Sequence, residues 1–379
     1  MSYVNIPFPS FLTPLQTIVQ RGGVAVLRML PATRVAIICS KRLAHHPQIR
    51  SICDKSKRAQ FSLIHPSWEG EPSVLGLQGS LQELESFSPD YIVAIGGGSV
   101  IDGAKLLWAF FEHPHFPQEK LSIPFSLPPL RKRSLFAAIP TTAGTGSEAS
   151  SSAIITDSLG HKIPVVTHDF LPNLVILDSD LLQDLPDKWF CISVLDALSH
   201  SFEGYVSTLK NPLAETLIVP ALKEILEGLS LYSDEGSRAI AYEACLKGAY
   251  LSGLIQNMLL VGPAHAISHQ LGKSGVPHGL ATGLLLPKVI RYYRHAYPDL
   301  DSKYTLLVRQ LGFETLSGFL EWLETFPSQF HVPLKLSEWP GAVKPDAIGE
   351  LSLSDPIARF FPEPLPAQTL QAIFESVWA

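Results

Sequence analysis

The chain has 379 residues, of which 46% are hydrophobic and 17% are charged, and its formal net charge is -6. This length predicts two or three domains, and the apolar share is ample for buried cores. Nucleic-acid binding requires a concentrated positive surface, so the acidic balance argues against a nucleic-acid partner. The four cysteines are scattered without C-x-x-C spacing, which favours neither a disulfide scaffold nor a thiolate metal site and is typical of a cytoplasmic protein.

The N-terminal stretch MSYVNIPFPSFLTP has no basic segment ahead of an apolar core, and no apolar run is long enough to span a bilayer. We therefore expect no membrane partner. Four short apolar runs in the first half of the chain, VAIICS, YIVAIGG, LFAAIP and NLVILD, predict buried strands of a mostly parallel sheet. After Asp178 the apolar residues recur at helical spacing. The pattern predicts an α/β domain over residues 1–183 and an all-helical domain over residues 184–379.

The first motif is DYIVAIGGGSVIDGAK, in which an apolar strand is followed by three glycines, a serine and a helical pattern. Glycines allow the backbone to approach a pyrophosphate, and the amides and dipole at a helix start favour its negative charge. We predict that Gly97, Gly98 and Ser99 bind a cofactor phosphate; an ordinary tight turn is the alternative. Asp102 either interacts with the helix dipole or accepts a hydrogen bond from a cofactor amide or ribose.

A second segment, PTTAGTGSE, follows the run LFAAIP and is rich in small residues and hydroxyls. Four of these hydroxyls could donate hydrogen bonds to phosphate or ribose oxygens: Thr141, Thr142, Thr145 and Ser147. The alternative is a surface loop rich in serine and threonine.

The segment SSAIITDSLGHKIPVVT contains two β-rich runs around Asp157 to Gly160 and predicts a hairpin. This hairpin would bring Lys162 toward the nucleotide. The alternative is a surface lysine on an edge strand, a common protection against aggregation.

The helical half carries a carboxylate and several imidazoles at spacings suited to one divalent metal. Asp196 and His200 are four residues apart in a segment of helical period, so both side chains leave the same face, and His265 and His269 repeat that geometry. His278 follows a glycine-containing bend that can turn a ligand back toward the earlier helix. Oxygen and nitrogen donors without a thiolate favour Fe(II) or Zn(II); solvated helix faces or core contacts are the alternative.

Together these motifs resemble those of the iron-containing, or group III, alcohol dehydrogenases. GGGSVID, PTTAGTGSE, LDALSHSFEGY, HAISHQLG, PHG and LLLP stand in the order and rough spacing of that family over about residues 90 to 290. The resemblance implies a dinucleotide-binding α/β domain followed by an all-helical domain, with the metal in the cleft between them. It also implies the reversible oxidation of an alcohol with NAD(P), and a dimer or larger homo-oligomer.

Residue by residue, the resemblance implies metal ligands at Asp196, His200, His265 and His278. It implies cofactor contacts at Gly97, Gly98, Ser99, Asp102, Thr141, Thr142 and Lys162. His269 is similar to the family's second histidine, which lies near the substrate and can relay a proton. A helix-face histidine bonded to a neighbour is the alternative for His269.

One departure from the family bears on the choice of cofactor. After the first apolar strand the family often has an aspartate that binds the adenosine ribose hydroxyls and repels a 2′-phosphate. In this chain Ser40 occupies that place, and Lys41 and Arg42 follow. We therefore predict a preference for NADP(H); the alternative is that Lys41 and Arg42 form a solvated strand end.

The chemistry is consistent with this set of residues. Removing hydride from a carbinol carbon requires the hydroxyl to lose its proton, and a cation stabilises the resulting alkoxide. The protein mainly holds alcohol or aldehyde close to the nicotinamide. Two alternatives stay open: a zinc-dependent polyol dehydrogenase or dehydroquinate-synthase-like enzyme of the same superfamily, and a non-catalytic nucleotide-binding sensor with a structural metal.

Overall fold

The computed structural model describes residues 10–55, 58–68, 70–157 and 162–379. Within them the chain forms two compact units: unit 1 contains Leu12–Thr142 and Gly146–Asp184, and unit 2 contains Ala143–Thr145 and Leu185–Ala379. We keep the predicted boundary between residues 183 and 184 as a proposal. Most of the hairpin turn predicted around Asp157 to Gly160 and most of the N-terminal stretch lie outside the described residues.

Unit 1 contains a six-stranded sheet in which every neighbouring pair is parallel. In spatial order its strands are β1 (Thr17–Val19), β8 (Leu174–Leu177), β5 (Leu135–Pro140), β4 (Tyr91–Gly96), β2 (Arg34–Cys39) and β3 (Gln60–Ile64). The four predicted strands are confirmed as β2, β4, β5 and β8. The short strands β1 and β3 lie at the two edges and were not predicted, since their residues are mostly half-buried and carry no continuous apolar signal.

Alternate residues of the central strands face opposite sides of the sheet and enter two separate apolar clusters. Along β2, for example, Ile38 joins one cluster and Ile37 joins the other. Both faces are covered, which explains why these strands are continuous apolar runs in the sequence. The helices of this unit are α1 (Lys41–Ala44), α2 (Pro47–Lys55), α3 (Val74–Phe87) and α4 (Gly98–Glu112).

A separate antiparallel pair, β6 (Ser152–Thr156) and β7 (Lys162–Val166), confirms the predicted hairpin. Short 3₁₀ helices of unit 1 cover Gly23–Met29, Gln118–Lys120, Ser147–Ala149, His168–Phe170 and Ser179–Leu182.

Unit 2 is helical in its described residues, as the sequence predicts. Its helices are α5 (Asp187–Val206), α6 (Pro212–Glu215), α7 (Ile218–Leu231), α8 (Arg238–Leu259), α9 (Pro263–His269), α10 (His278–Ala296), α11 (Pro298–Gln310), α12 (Leu316–Thr325), α13 (Ile348–Ser354) and α14 (Ala367–Trp378). Short 3₁₀ helices lie at Phe326–Phe330, Leu336–Glu338 and Pro356–Phe360.

Glycines allow α10 to lie directly against α5. A Cβ atom at Gly279 would come within 2.4 Å of the Ile192 carbonyl oxygen, and one at Gly283 would come within 2.6 Å of Leu195. Any larger residue would force the helices apart. This close approach brings the start of α10 beside the middle of α5, where two of the predicted metal ligands lie.

In the described part of the chain, no single helix combines the length and apolar character needed to cross a membrane, although the bent pair α8 and α9, at 93°, meets that test jointly.

Candidate metal centre and cofactor loop

Three of the four predicted metal ligands, Asp196, His265 and His278, have ligand atoms that all lie within 4.8 Å of one another, and the fourth, His200, lies beside Asp196. We call these four residues the histidine cluster. The Nε2 atoms of the three imidazoles lie 3.9, 3.6 and 3.5 Å, respectively, from Oδ1 of Asp196. Thr282, one turn into α10, donates from its hydroxyl to the same carboxylate oxygen at 3.0 Å. Three ring nitrogens from three different helices therefore converge on a single carboxylate oxygen.

Hydrogen bonds at the opposite ring nitrogens determine how two imidazoles face the cluster. Nδ1 of His265 donates to Oε2 of Glu203 at 2.5 Å. Nδ1 of His278 lies 3.2 Å from the hydroxyl of Ser268, which itself donates to the His265 carbonyl and therefore accepts from the ring. In its neutral form each ring therefore carries its hydrogen on Nδ1 and has its lone pair on Nε2, on the side of Asp196, which is the tautomer that binds a metal.

Two buried ring nitrogens in the cluster have no hydrogen-bond partner among the described residues: Nδ1 of His200 and Nε2 of His265. Burial lowers the pKa of His200 to about 4, so the ring is neutral at physiological pH. Burial alone would lower the pKa of His265 as well, but Glu203 and Asp196 outweigh it and raise that pKa to about 9. The unpartnered Nε2 of His265 beside the buried carboxylate of Asp196 fits a divalent cation, whose binding would displace the His265 proton.

His269 lies beside the cluster. Its ring stacks on that of His278 with centroids 5.6 Å apart, and its Nδ1 donates to Oδ2 of Asp355 at 2.8 Å. The carboxylate fixes the tautomer of His269 and leaves Nε2 as an acceptor. About a third of the His269 side chain is exposed, so it can exchange a proton with solvent.

In unit 1, the predicted phosphate loop joins β4 to α4, and the helix begins at Gly98, earlier than the sequence indicates. Gly97 has extended backbone ahead of the helix, and a Cβ atom there would lie 3.3 Å from the side chain of Thr142. The amide of Thr141 donates to the Gly96 carbonyl at 3.0 Å. The glycines and both threonines therefore meet at the carboxyl end of the sheet, the usual place for a nucleotide in parallel α/β folds.

Asp102 is buried in the first turns of α4, and its Oδ1 accepts no hydrogen bond from the described residues. Its Oδ2 accepts from the amide of Ile154 at 3.0 Å. Burial, opposed by Lys105, raises the pKa of Asp102 to about 6. Ser147 also lowers that pKa, which places this predicted residue beside Asp102. The unused oxygen fits a donor such as a cofactor amide.

Two of the predicted cofactor residues are engaged by a neighbouring segment that was not predicted to take part. The hydroxyl of Ser99 donates to the Gly70 carbonyl and lies 3.3 Å from the indole nitrogen of Trp68. Lys162 forms an ion pair with Glu71 at 2.7 Å. The structure therefore gives these two side chains partners within unit 1.

The remaining predicted cofactor residues occupy different places. Ser40 follows β2, at the same end of the sheet as the phosphate loop, and its hydroxyl accepts from the amide of Leu43, so it also caps α1. Thr145 belongs to unit 2, where its carbonyl accepts from the Gln256 amide group at 2.5 Å.

The sequence-based predictions missed the residues that support the site: Glu203, Ser268, Thr282, Asp355, Trp68 and Glu71. Glu203 had a signal, because it lies seven residues after Asp196 and three after His200 on one face of a helix. The hydroxyls and Asp355 had none, since their roles depend on contacts between helices distant in sequence.

The chain is similar to known proteins over most of its length. Residues 17–179 match the family model "Iron-containing alcohol dehydrogenase", and residues 190–352 match "Fe-containing alcohol dehydrogenase family, C-terminal". The NADPH-dependent butanol dehydrogenase of Clostridium saccharobutylicum is 31% identical over 326 residues, covering 82% of each chain. The 1-propanol dehydrogenase PduQ of Salmonella typhimurium is 26% identical over 376 residues, covering 94% of this chain and 96% of the relative.

The structure of an iron-containing alcohol dehydrogenase from Thermococcus thioreducens is similar over 97% of this chain and 99% of the other, with 26% identity and a TM-score of 0.86. These matches confirm the predicted fold class, an α/β domain with a mostly parallel sheet and an all-helical domain. They also confirm the predicted activity, the metal-dependent interconversion of alcohol and aldehyde with NAD(P)(H). The chain belongs to the family of iron-containing alcohol dehydrogenases.

Proposed function

We propose that the histidine cluster holds the catalytic Fe(II), with Zn(II) as the other metal that this donor set accepts. The observation that supports this most strongly is the convergence of three Nε2 atoms within 3.9 Å of one Asp196 oxygen. The unpartnered Nε2 of His265, 3.6 Å from that oxygen, supports it further. When bound, the cation supplies the positive charge that polarises the substrate oxygen.

The other residues divide between binding the cofactor and moving a proton. The loop of Gly97, Gly98 and Ser99 binds the cofactor phosphates, and Thr141, Thr142, Thr145, Ser147 and Lys162 contribute further polar contacts. Asp102 accepts a hydrogen bond through its unused Oδ1. His269, oriented by Asp355, exchanges the proton of the substrate hydroxyl with solvent.

The test is the consumption of NADPH with an aldehyde panel that includes butanal and propanal, after apo-enzyme is loaded with Fe(II) or Zn(II). Asp196→Ala and His278→Ala should lose both bound metal and turnover. His295→Ala, at an exposed histidine of the same helix α10, should keep both. Full turnover in Asp196→Ala would contradict the assigned ligands, and wild-type protein that binds metal and nucleotide but reduces no aldehyde would support a sensor.

We further propose that the enzyme prefers NADP(H). Ser40 stands where a carboxylate would repel a 2′-phosphate, and Lys41 and Arg42 are both exposed beside it. Arg42 already donates to the carbonyl of Asp184 at 3.2 Å, so Lys41 is the cation with fewer contacts to other side chains and carbonyls of the protein. Ser40→Asp should reduce the ratio of kcat/KM for NADPH over NADH by about tenfold or more, which corresponds to about 1.4 kcal/mol. A wild-type preference for NADH would refute this proposal.

We also propose a homo-oligomer in the cytoplasm that acts on a small alcohol or aldehyde. Light scattering on the purified enzyme tests the assembly, and a monomer at micromolar concentration would contradict it. Comparison of simple aldehydes with polyol substrates separates an aldehyde reductase from the polyol dehydrogenases of the same superfamily.

A further inference from the structure

Glu203 combines several contacts at one point of the structure. Its carboxylate, 2% exposed, accepts from Nδ1 of His265 at 2.5 Å and from the amides of Gly262 at 2.9 Å and Ala264 at 2.6 Å. All three donors belong to the short stretch that begins α9. That helix has no side-chain cap of its own, so a residue of α5 satisfies its first amides.

From these contacts we propose that Glu203 is a positioning residue for the metal: it fixes the ring orientation and the tautomer of His265 and supplies the second negative charge that a divalent cation requires. This inference rests on the proposed metal ligands. It concerns a residue that touches neither the cation nor the substrate and acts through His265.

The tautomer follows from the donor and acceptor roles. A carboxylate only accepts, so Nδ1 of His265 must carry a hydrogen, and the lone pair of the neutral ring is then on Nε2, 3.6 Å from Oδ1 of Asp196. The three imidazoles receive unequal support: His265 bonds to a carboxylate, His278 to a neutral hydroxyl, and Nδ1 of His200 has no partner among the described residues. Of these contacts, only the one to Glu203 increases the electron donation of its ring strongly.

The charge balance supports the same role. Asp196 and Glu203 are each 2% exposed, and neither forms an ion pair with a lysine or arginine in the described residues. Buried charges require compensation. His265, which lies within ion-pair distance of both carboxylates, supplies part of this compensation while its ring is protonated. Once the imidazoles are neutral, as coordination requires, the two carboxylates carry two negative charges, which one divalent cation balances.

The decisive variant is Glu203→Gln. A glutamine has one acceptor oxygen, so its amide group must face a donor on one side. If that side is His265, the ring must move its hydrogen to Nε2, which blocks the metal-binding position. If that side is Ala264, the start of α9 loses its cap.

The test is the affinity of the full-length apo-enzyme for Co(II), measured by competition with a chelator, together with the visible absorption of the Co(II) enzyme. Glu203→Gln should weaken binding about 10- to 100-fold and shift the absorption, whereas NADPH affinity should stay unchanged. Ser268→Ala should have a smaller effect on Co(II), since it removes a neutral partner. Binding within about twofold of wild type, with an unchanged spectrum, would overturn the proposal.

Glu112→Gln is a matched control, because Glu112 is also buried and accepts from three donors, the amides of Lys132, Arg133 and Ser134. It should lose stability without a change in Co(II) affinity or spectrum. Equal losses of Co(II) affinity in both variants would mean that Glu203 acts only through the fold.

A second variant covers the case in which Glu203→Gln does not fold. A Cβ atom at Gly262 would lie 2.9 Å from Oε1 of Glu203, so Gly262→Ala displaces the carboxylate while keeping its charge. It should weaken Co(II) severalfold and shift the spectrum, and wild-type behaviour would overturn the proposal. Asp196→Ala distinguishes a failure of the proposed ligand set from a failure of the positioning role. If it abolishes Co(II) binding while the Glu203 and Gly262 variants bind normally, the ligand assignment is supported and only the positioning role fails.

Discussion

Two regions of the molecule bury several ionisable groups, and they compensate for the charge differently. In unit 1, the residues that we call the Lys105 cluster are Asp102, Lys105 and Glu148, which are 7%, 0% and 2% exposed. The Lys105 ammonium donates to the carbonyls of Ser147 at 2.6 Å, Ser150 at 2.8 Å and to two further oxygens. A buried cation with that many acceptors is compensated by the protein itself.

The histidine cluster in unit 2 is the opposite case. Two of its buried ring nitrogens have no hydrogen-bond partner among the described residues, and its carboxylates lack a lysine or arginine there. The difference separates buried charges that maintain the fold from those that we propose bind a metal. Substitution of a buried cation that is satisfied internally, as Lys105 is, should change mainly the stability, whereas substitution in a cluster with unpartnered nitrogens should change mainly binding and turnover.

Lys105→Met should produce the largest effect on stability. It leaves Asp102 and Glu148 buried without their cation and removes the donor from four oxygens, so we expect a loss of about 3–5 kcal/mol in the free energy of unfolding. Urea denaturation followed by circular dichroism measures it. Lys247→Met, at a partly exposed lysine 3.1 Å from Glu224, should cost about 0.5 kcal/mol or less. Similar losses in the two variants would remove the distinction between the two regions.

Glu148→Gln tests the same cluster through pH. Burial, partly offset by a backbone hydrogen bond and by Lys105, raises the pKa of Glu148 from 4.5 to about 7. The native state therefore holds this proton more tightly than the unfolded chain does, and the free energy of unfolding falls as the pH rises from 4.5 to about 7.

The glutamine variant should lose this decline, which amounts to about 3 kcal/mol. Denaturation midpoints between pH 4 and pH 8 measure it, with the exposed Glu85→Gln of α3 as the variant that keeps the wild-type dependence. Parallel curves for wild type and Glu148→Gln would show that the buried carboxyl is not the cause.

The sequence predicted most of what is local. The four buried strands, the glycine loop and the spacing of Asp196 and His200 all follow from periodicity within one segment. The sequence-based prediction placed the start of α4 too late, because three consecutive glycines suggest a loop. In the structure the helix begins at Gly98. The tertiary structure supplies the hydrogen bonds and packing that override a weak propensity.

What the sequence could not supply are contacts between distant segments. Glu203 and His265 are 62 residues apart, and His269 and Asp355 are 86 apart. A carboxylate or hydroxyl of this kind has no local pattern, since its role is set by which helix packs against it. Lys105 is a similar case: its position in an apolar helix gives no indication that its ammonium lies under the Ser147–Ser152 backbone.

Asp355→Asn probes a supporting residue beside the histidine cluster. The asparagine can still cap the 3₁₀ helix Pro356–Phe360 through Ile357, but its amide no longer requires a hydrogen on Nδ1 of His269. We expect kcat to fall about tenfold with unchanged metal content and stability, since only proton exchange is affected. Metal analysis and steady-state kinetics test this, and an unchanged kcat would leave His269 a structural neighbour of His278.

The smallest effect concerns the backbone that leads into α9. Leu260 has φ 61° and ψ −176°, a conformation that is essentially restricted to glycine. Such strain costs about 1–3 kcal/mol and persists only where the surrounding structure enforces it. Here the enforcement has a visible source, because the chain must pass from α8 to the Gly262 amide that Glu203 binds.

Comparison of Leu260→Gly with Leu260→Ala isolates this strain, because both variants remove the same half-buried side chain. At an ordinary position glycine would be the less stable of the two by about 0.5–1 kcal/mol. At Leu260 we expect the opposite sign, with glycine more stable by about 1 kcal/mol in urea denaturation of the apo-enzyme. If Leu260→Ala is the more stable variant, the segment relaxes without strain. The backbone that positions His265 then costs the protein no free energy of unfolding.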